Sequence, residues 1–243
     1  MSTLSPTDLN FVLRRVPRDV RDLIKARGLF LAGGFIRATI AGEKASDIDL
    51  FGASAESLKL NAMQFAIARQ GRMHETDNAL TVITPGHRLP VQFITKWLYA
   101  PDEQEKLLTE FDFTVAQSVI WWAKDGWHSA ISESFYRDLA AHRLVYTFPQ
   151  RVEAAGGSLL RARKFLMRGY NIQAESLAGV IARLVSGVDQ DAFDGLVAEL
   201  GKEKAMARVM CGLLREVDPL IVIDGVDIVD EHADIASEIG GQK

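Results

Sequence analysis

The chain has 243 residues, of which 48% are hydrophobic and 25% are charged, so its composition is that of a globular protein rather than a disordered or fibrous one. The formal net charge of −4 argues against a protein that coats nucleic acid without regard to sequence. A single cysteine, Cys211, excludes an internal disulfide and cysteine-rich zinc sites, and it favours a reducing cytoplasm. No apolar run approaches the ~20 residues that span a bilayer, and the first residues lack the pattern of a signal peptide, so we expect no membrane partner.

The N-terminal stretch predicts two helices, a strand and a short third helix. The helices are predicted over residues 6–16 and 17–27, each opened by a proline or a Ser/Thr signal. An apolar strand over 29–32 follows, and a paired-glycine turn then leads into the short helix over 35–41.

The paired glycines, Gly33 and Gly34, are candidate nucleotide-binding residues. A residue without Cβ permits a positive φ, and it lets amide N–H groups approach an anion at the start of the following helix. Arg37, one turn into that helix, is a further candidate ligand of phosphate.

Two aspartates one residue apart come next, on a strand predicted over 47–51. Asp47 and Asp49 alternate with aliphatic residues, so both carboxylates leave one face of the strand while the other face packs in the core. Carboxylate oxygens suit Mg²⁺, which is usually shared between one or two carboxylates and the substrate phosphates. Asp47 and Asp49 are therefore the predicted catalytic and metal-binding residues, with Mg²⁺ or Mn²⁺ as the ion. A dinucleotide site is disfavoured, because the third glycine is missing and the acidic residues come too early for a ribose contact.

The remaining pattern continues the sheet and then becomes almost entirely helical. An amphipathic helix is predicted over 54–70, and a helical segment over 101–108. Strands are predicted over 72–76, 79–84 and 91–94, with a hairpin formed by 113–123 and 127–131. Later helices are predicted over 133–140, 159–167, 174–185, 191–200 and 202–215.

This order of elements predicts an α+β fold with two domains. The first, 1–145, is a mixed sheet flanked by helices, and the second, 146–243, is helical with an acidic C-terminal tail. Lys and Arg outnumber Asp and Glu between Arg137 and Arg168. From Glu216 to Glu238 the sequence has several Asp and Glu residues but no Lys or Arg. The basic stretch suits a triphosphate or an RNA backbone, although a solvated helix face has the same composition. We interpret the tail as a solvated terminus or an interaction segment.

Together, the glycine turn and the aspartate strand resemble the nucleotidyltransferase superfamily with a DNA polymerase β-like palm. The resemblance is greatest to the head domain of bacterial tRNA CCA-adding enzymes and poly(A) polymerases. Their Gly-Gly-x-Val-Arg-Asp turn is matched by Gly33, Gly34, Ile36 and Arg37, with Ala38 in place of the final aspartate, and their Asp-Ile-Asp-Leu strand is matched by residues 47–50.

Two later segments extend the resemblance. Residues 111–115, Phe-Asp-Phe-Thr-Val, are similar to the family's Arg-Asp-Phe-Thr-Ile-Asn segment, which implies that Asp112 lies near the ribose of the nucleotide. Residues 158–165 resemble the arginine-rich neck helix that follows the head, which makes Arg161 a candidate nucleotide ligand.

The sequence also departs from the family at two places. The Glu-Asp-x-x-Arg segment, which acts as a protein template for the base, corresponds here to Ala154, Ala155 and Ser158, so selection of CTP and then ATP is not supported. Gln92 occupies the candidate position of the superfamily's third carboxylate, and an amide cannot act as a carboxylate base. Either two aspartates suffice, or Asp112 contributes, or the enzyme is impaired.

The resemblance implies a metal-dependent nucleotidyltransferase that transfers a nucleoside monophosphate from an NTP, ATP or CTP above all, to an acceptor hydroxyl. The leading acceptor is an RNA 3′ end, tRNA-like or other. Two alternatives are a protein or small-molecule acceptor, as in nucleotidylylating toxins and antibiotic-modifying enzymes, and a palm-like binding protein that has lost catalysis. The oligomeric state is left open.

Overall fold

The computed structural model describes residues 2–86, 88–150 and 154–217. The chain forms two compact units that divide between Ala141 and His142. The predicted acidic tail lies, from residue 218 onward, outside the described residues. The two-domain division at 145 and 146 stays a prediction.

A seven-stranded mixed sheet forms the centre of the first unit. Its strands are β1 Phe30–Ala32, β2 Ile48–Gly52, β3 Arg72–Glu75, β4 Ala79–Ile83, β5 Val91–Leu98, β6 Ser118–Ala123 and β7 Gly126–Ile131. Their order in the sheet is β3-β4-β5-β2-β1-β6-β7. The pair β2 and β5 is parallel, and the other neighbouring pairs are antiparallel.

Among the described residues, this unit has five α-helices: α1 Pro6–Arg15, α2 Arg18–Arg27, α3 Gly34–Ala41, α4 Ala55–Arg69 and α5 Phe135–Ala140. Serine side chains cap the N-termini of two of these helices. The Ser5 hydroxyl accepts a hydrogen bond from the Asp8 amide at the start of α1, and Ser54 accepts one from the Ser57 amide at the start of α4. Two 3₁₀ helices, Gln104–Glu110 and Thr114–Ala116, precede β6.

Both faces of the sheet are covered. On one face, α4 packs against β4 and β5, and its Phe65 ring meets the Phe93 ring of β5 edge to face. On the other, Leu107 and Leu108 of the first 3₁₀ helix form a buried cluster with sheet residues that include Phe30 and Phe51. Burial of these side chains holds the sheet between two layers.

The second unit is mostly helical. It contains α6 Gly157–Met167, α7 Ala174–Ser186, α8 Gln190–Leu200 and α9 Lys202–Val217. The short strands β8 Arg143–Leu144 and β9 Asn171–Ile172 form a parallel pair. Among the residues that the structure describes, no helix is long and apolar enough to cross a membrane.

The predicted fold class, an α+β fold with a mixed sheet flanked by helices and followed by helices, is confirmed. Most predicted elements agree with the structure within one or two residues. Four differ: β5 continues to Leu98, the helical segment predicted over 101–108 is a 3₁₀ helix over Gln104–Glu110, residues 114–116 are 3₁₀ helix rather than strand, and the β8–β9 pair was not predicted. Two of these differences depend on partners distant in the chain, because β5 is extended by pairing of Leu98 with Gly52, and the Thr114 hydroxyl donates to the buried Asp138 carboxylate.

Candidate active site

The turn between β1 and α3 depends on Gly33 for two independent reasons. Gly33 has φ +76 and ψ −127, in a region that a residue with Cβ rarely adopts. A Cβ atom at this position would also lie 2.8 Å from Cε1 of Phe111. The Gly33 amide donates a 2.9 Å hydrogen bond to the Ser118 carbonyl, which anchors the turn to β6.

Gly34 begins α3 and is in a different position. Apart from its chain neighbours and the backbone of its own helix, no heavy atom of the described residues lies within 4 Å of a Cβ built there. The position therefore has room for a side chain, and the first N–H groups of a helix attract anions. Whether Gly33 and Gly34 bind a nucleotide stays a prediction.

Arg37 is buried, with 2% of its surface exposed. Its guanidinium Nη1 forms an ion pair with the Glu43 carboxylate, which follows the end of α3. No sequence pattern indicates this pairing, since Glu43 lies outside the helix and carries no periodic signal. The role of Arg37 in holding phosphate stays a prediction, and the ion pair adds a structural role.

The two aspartates occupy the start of β2. Asp47 immediately precedes the strand and Asp49 is its second residue. Both are partly exposed, whereas Ile48 and Leu50 are fully buried, so the alternation expected from the sequence is observed. Helix α3 packs against β2, which brings the glycine turn and the aspartates into one region of the first unit.

Gln92 lies beside Asp49. The two residues are register partners on the parallel strands β5 and β2, so their side chains share one face of the sheet. The same row continues through Thr81 of β4 to His74 of β3. Across these described strands the row supplies no carboxylate besides Asp49.

This set of oxygen donors suits one class of metal. Within the described residues, no group of three or more His, Cys, Asp or Glu side chains could hold an ion. Two partly exposed carboxylates fit Mg²⁺ or Mn²⁺, because such ions keep several waters and share their remaining ligands with substrate phosphates. A structural zinc site would need a closed set of protein ligands, which this region does not provide.

Asp112 lies between the two 3₁₀ helices and is 3% exposed. Its neighbour Phe111 is the residue whose ring packs against Gly33, so the segment that carries Asp112 runs directly past the glycine turn. The proposed contact of Asp112 with ribose stays a prediction. The resemblance of residues 111–115 to the family included Phe111 but assigned it no role.

Arg161 belongs to the second unit, on α6, where it is partly buried. At the positions that correspond to the family's template, Ala154 is exposed, Ala155 is partly buried and Ser158 is fully buried. These positions therefore offer no exposed polar side chain for pairing with a base. The role of Arg161 as a nucleotide ligand stays a prediction.

The chain is similar to known proteins in two respects, a family model and the fold of solved structures. Residues 7–142 match a family model described as Gabija anti-defense 2 family protein. No curated protein matches the chain. Several solved structures are similar in fold.

Three of the similar structures are CCA-adding enzymes. That of Thermotoga maritima, complexed with tRNA, has a TM-score of 0.53 at 18% identity, covering 88% of this chain and 55% of its own. A CCA-adding enzyme with CTP has a TM-score of 0.52 at 19% identity, and the match covers 88% of this chain and 54% of the enzyme. A complex of a CCA-adding enzyme with ATP has a TM-score of 0.51 at 20% identity, and the match covers 84% of this chain and 52% of the enzyme.

These likenesses establish the fold. The first unit with its following helices is nucleotidyltransferase-like, which confirms the resemblance stated from the sequence. The chain spans little more than half the length of the enzymes it resembles.

Proposed function

The chain belongs to the Gabija anti-defense 2 family, and we propose that it is a metal-dependent nucleotidyltransferase. It transfers a nucleoside monophosphate from an NTP to an acceptor hydroxyl and releases pyrophosphate. One observation carries this proposal: Asp47 and Asp49 lie partly exposed at the start of β2, against α3 and its glycine turn. The fold in which they occur is shared with CCA-adding enzymes.

Each residue has a role that follows from its chemistry. Asp47 and Asp49 would hold a Mg²⁺ or Mn²⁺ ion, which when bound would neutralise phosphate charge and favour ionisation of the acceptor hydroxyl. The N–H groups at the start of α3, beside Gly33 and Gly34, favour the triphosphate. Asp112 accepts a hydrogen bond from the ribose.

The reaction balances without a further cofactor. The acceptor oxygen forms a bond to the α-phosphorus, the bond from that phosphorus to the bridging oxygen breaks, and pyrophosphate leaves. The Gln92 amide cannot take the hydroxyl proton, so the proton passes to Asp49 or to water.

An RNA 3′ end is the acceptor that we favour. Helix α6 carries Arg161, Arg163 and Lys164 in one turn, and such a basic helix suits an RNA backbone or a triphosphate. ATP or CTP is the proposed donor, in keeping with the complexes of the similar enzymes. Because Ala154 and Ala155 lack polar edges, we expect weak discrimination between bases. A cytoplasmic location suits the lone Cys211.

Family membership favours a second candidate. A protein that opposes a defence could modify one of the components of that defence, so a hydroxyl side chain of a Gabija protein is the alternative acceptor. The amide at position 92 favours a third interpretation, in which the palm binds without catalysis.

One experiment separates these candidates. The protein is incubated with each α-labelled NTP and Mg²⁺ or Mn²⁺, with either total RNA or the proteins of cells that carry Gabija. Asp47→Ala/Asp49→Ala serves as the inactive variant, and Asp77→Ala, in the exposed turn between β3 and β4, as the matched control. Label in RNA supports the first candidate and label in protein the second. No label above the double variant refutes catalysis, and retention of anti-defence activity by that variant supports a binding role.

A further inference from the structure

A cleft of about 350 Å³ opens in the second unit, between α7 and the segment that follows β8. Its lining includes Tyr146, Phe148, Gln150, Gly179, Arg183 and Ser186. Among the described residues that line it, none is acidic, and Arg183 contributes a positively charged guanidinium. A volume of this size is within the range of small-ligand sites.

Phe148 is the unusual residue of this cleft. Its surface is 53% exposed, although its ring is large and apolar. Its φ of +52 lies in the left-handed region, which a bulky side chain rarely adopts. Backbone strain of this kind persists where the surroundings enforce it and is concentrated at ligand sites.

The surroundings of Phe148 hold the ring in place. The ring packs edge to face on Tyr146, with 4.9 Å between centroids. Both rings rest on Gly179 of α7, where a Cβ would approach Phe148 to 2.7 Å and Tyr146 to 2.8 Å. The Gln150 side-chain amide donates a 3.3 Å hydrogen bond to the Phe148 carbonyl. Gly179 is therefore required in α7, because any side chain there would collide with the rings of Tyr146 and Phe148.

Polar groups line the cleft together with the rings of Tyr146 and Phe148. The Arg183 guanidinium donates to the Pro149 carbonyl at 3.1 Å, which fixes the positive charge at the edge of the cleft. The Ser186 hydroxyl, which donates to the Arg183 carbonyl at 2.7 Å, and the Gln150 amide lie in the same lining, and their oxygen atoms can accept hydrogen bonds from a ligand.

We propose that this cleft binds one nucleotide unit, with its base stacked on Phe148 and its phosphate beside Arg183. Every base has a π-face that stacks on an aromatic ring, and guanidinium groups recognise phosphate. All lining residues belong to the second unit, whereas Asp47 and Asp49 belong to the first, so this inference does not depend on the proposed transfer reaction. The unit is either a free nucleotide or one residue of an RNA strand.

The test uses the full chain with the substitutions Asp47→Ala/Asp49→Ala, in EDTA, so that metal-dependent binding at the aspartates does not contribute. The two probes are 2-aminopurine riboside triphosphate and a short single-stranded RNA with one 2-aminopurine. Stacking quenches the fluorescence of 2-aminopurine, so each titration gives an affinity.

Phe148→Ala is expected to weaken binding about 5-fold to 150-fold, the range for loss of one base–aromatic stack. Phe148→Leu keeps apolar bulk without a π-face and should cause a similar loss, so it tests the contact if the alanine variant does not fold. Ile181→Ala is the matched control, because Ile181 is exposed on the same helix and does not line the cleft. Circular dichroism melting checks that each variant is folded.

If the triphosphate binds and the Phe148 variants weaken its binding, the cleft is a site for a free nucleotide. If only the RNA binds, and the Phe148 variants weaken its binding, the cleft is a site for one residue of an RNA strand. The proposal is overturned if neither probe binds. It is equally overturned if folded Phe148 variants bind as the parent does. Since transfer is assayed separately on the unsubstituted protein, loss of this proposal leaves the transfer proposal unaffected, and the reverse also holds.

Discussion

Asp49 and Gln92 lie side by side on the parallel strands β2 and β5, with their side chains on the same face of the sheet. The buried residues Leu50 and Phe93 form the next register pair and point to the opposite face. The position next to the proposed metal ligand Asp49 therefore carries an uncharged amide.

We expect Gln92→Glu to raise the turnover of nucleotidyl transfer about 10-fold or more. A carboxylate at this position can accept the hydroxyl proton, and a positioned general base contributes about 10²-fold to 10⁴-fold. Gln92→Ala, the control, removes an amide that takes no proton and should change turnover less than about 10-fold. Steady-state rates with each variant test this, and a Gln92→Glu protein slower than the Gln92→Ala protein would contradict it.

Gly33→Ala should lower the free energy of unfolding by about 1 to 3 kcal/mol, because a positive φ is unfavourable for alanine and its Cβ would collide with the Phe111 ring. Gly34→Ala is the matched control. It adds a Cβ in open space at the first residue of α3, and we expect it to be neutral or to stabilise by about 0.5 kcal/mol.

Urea unfolding measures both changes. In the double variant Gly33→Ala/Phe111→Leu, the smaller side chain relieves the contact but not the backbone strain, so part of the lost stability should return. Equal stability of Gly33→Ala and the parent would show that the turn tolerates a Cβ.

Asp19→Asn should destabilise the protein at neutral pH and much less in acid. Arg69 donates two hydrogen bonds to the Asp19 carboxylate, from Nε at 2.7 Å and from Nη2 at 2.9 Å. The hydrogen bond from Arg69 holds the pKa of Asp19 below its ordinary value of 3.8. A lowered carboxyl pKa gives stability that is complete above the unfolded-state value and is lost as the pH falls through the folded-state value.

The expected loss is about 1 to 2 kcal/mol at neutral pH, below the cost of breaking a fully buried pair because Asp19 is half-exposed. The difference from the parent should shrink as the pH falls below about 3.8. Asp22→Asn is the control: its partner Arg18 is 3.8 Å away and both are exposed, so a change of about 0.3 kcal/mol or less is expected. Unfolding curves across the pH range measure these differences in the free energy of unfolding. An effect of Asp19→Asn that does not change with pH would refute the dependence of stability on ionisation of Asp19.

Arg161→Ala should raise the KM for the NTP about 10-fold, with a smaller effect on kcat, if Arg161 contacts a phosphate. Hydrogen bonds to charged groups are worth about 1.5 to 3 kcal/mol. Arg168→Ala, at the exposed C-terminal end of α6, removes the same charge from the same helix and should leave KM unchanged. Similar effects of both substitutions would indicate a general electrostatic role.

Much of the fold was predictable because its signals are local. Ser5 and Pro6 begin α1, and Ser54 begins α4, where capping acts within a single turn. The hairpin of β6 and β7 turns at Lys124-Asp125, as the sequence predicts. The segment 114–116 was wrongly predicted as strand, because the buried Asp138, distant in sequence, accepts a hydrogen bond from Thr114 and supports a 3₁₀ turn.

The alternation of residues 47–50 in the candidate site was predictable from the sequence, whereas the contacts around the site were not. The period-two alternation placed Asp47 and Asp49 on one face from four consecutive letters of sequence. Nothing local indicated that Arg37 would be buried against Glu43, or that Phe111 would pack on Gly33. Both contacts join residues that come together only when helices and sheet pack.

The sequence by itself therefore determined the glycine turn, the alternating aspartates and the order of the elements, because backbone sterics and side-chain periodicity act over a few residues. Only the tertiary structure decided that Gln92 stands beside Asp49, that Gly33 is required by Phe111, and that Phe148 is held half-exposed on Gly179. The register of strands and the packing of rings on distant glycines depend on how the whole core is filled, and no short stretch of sequence carries that information.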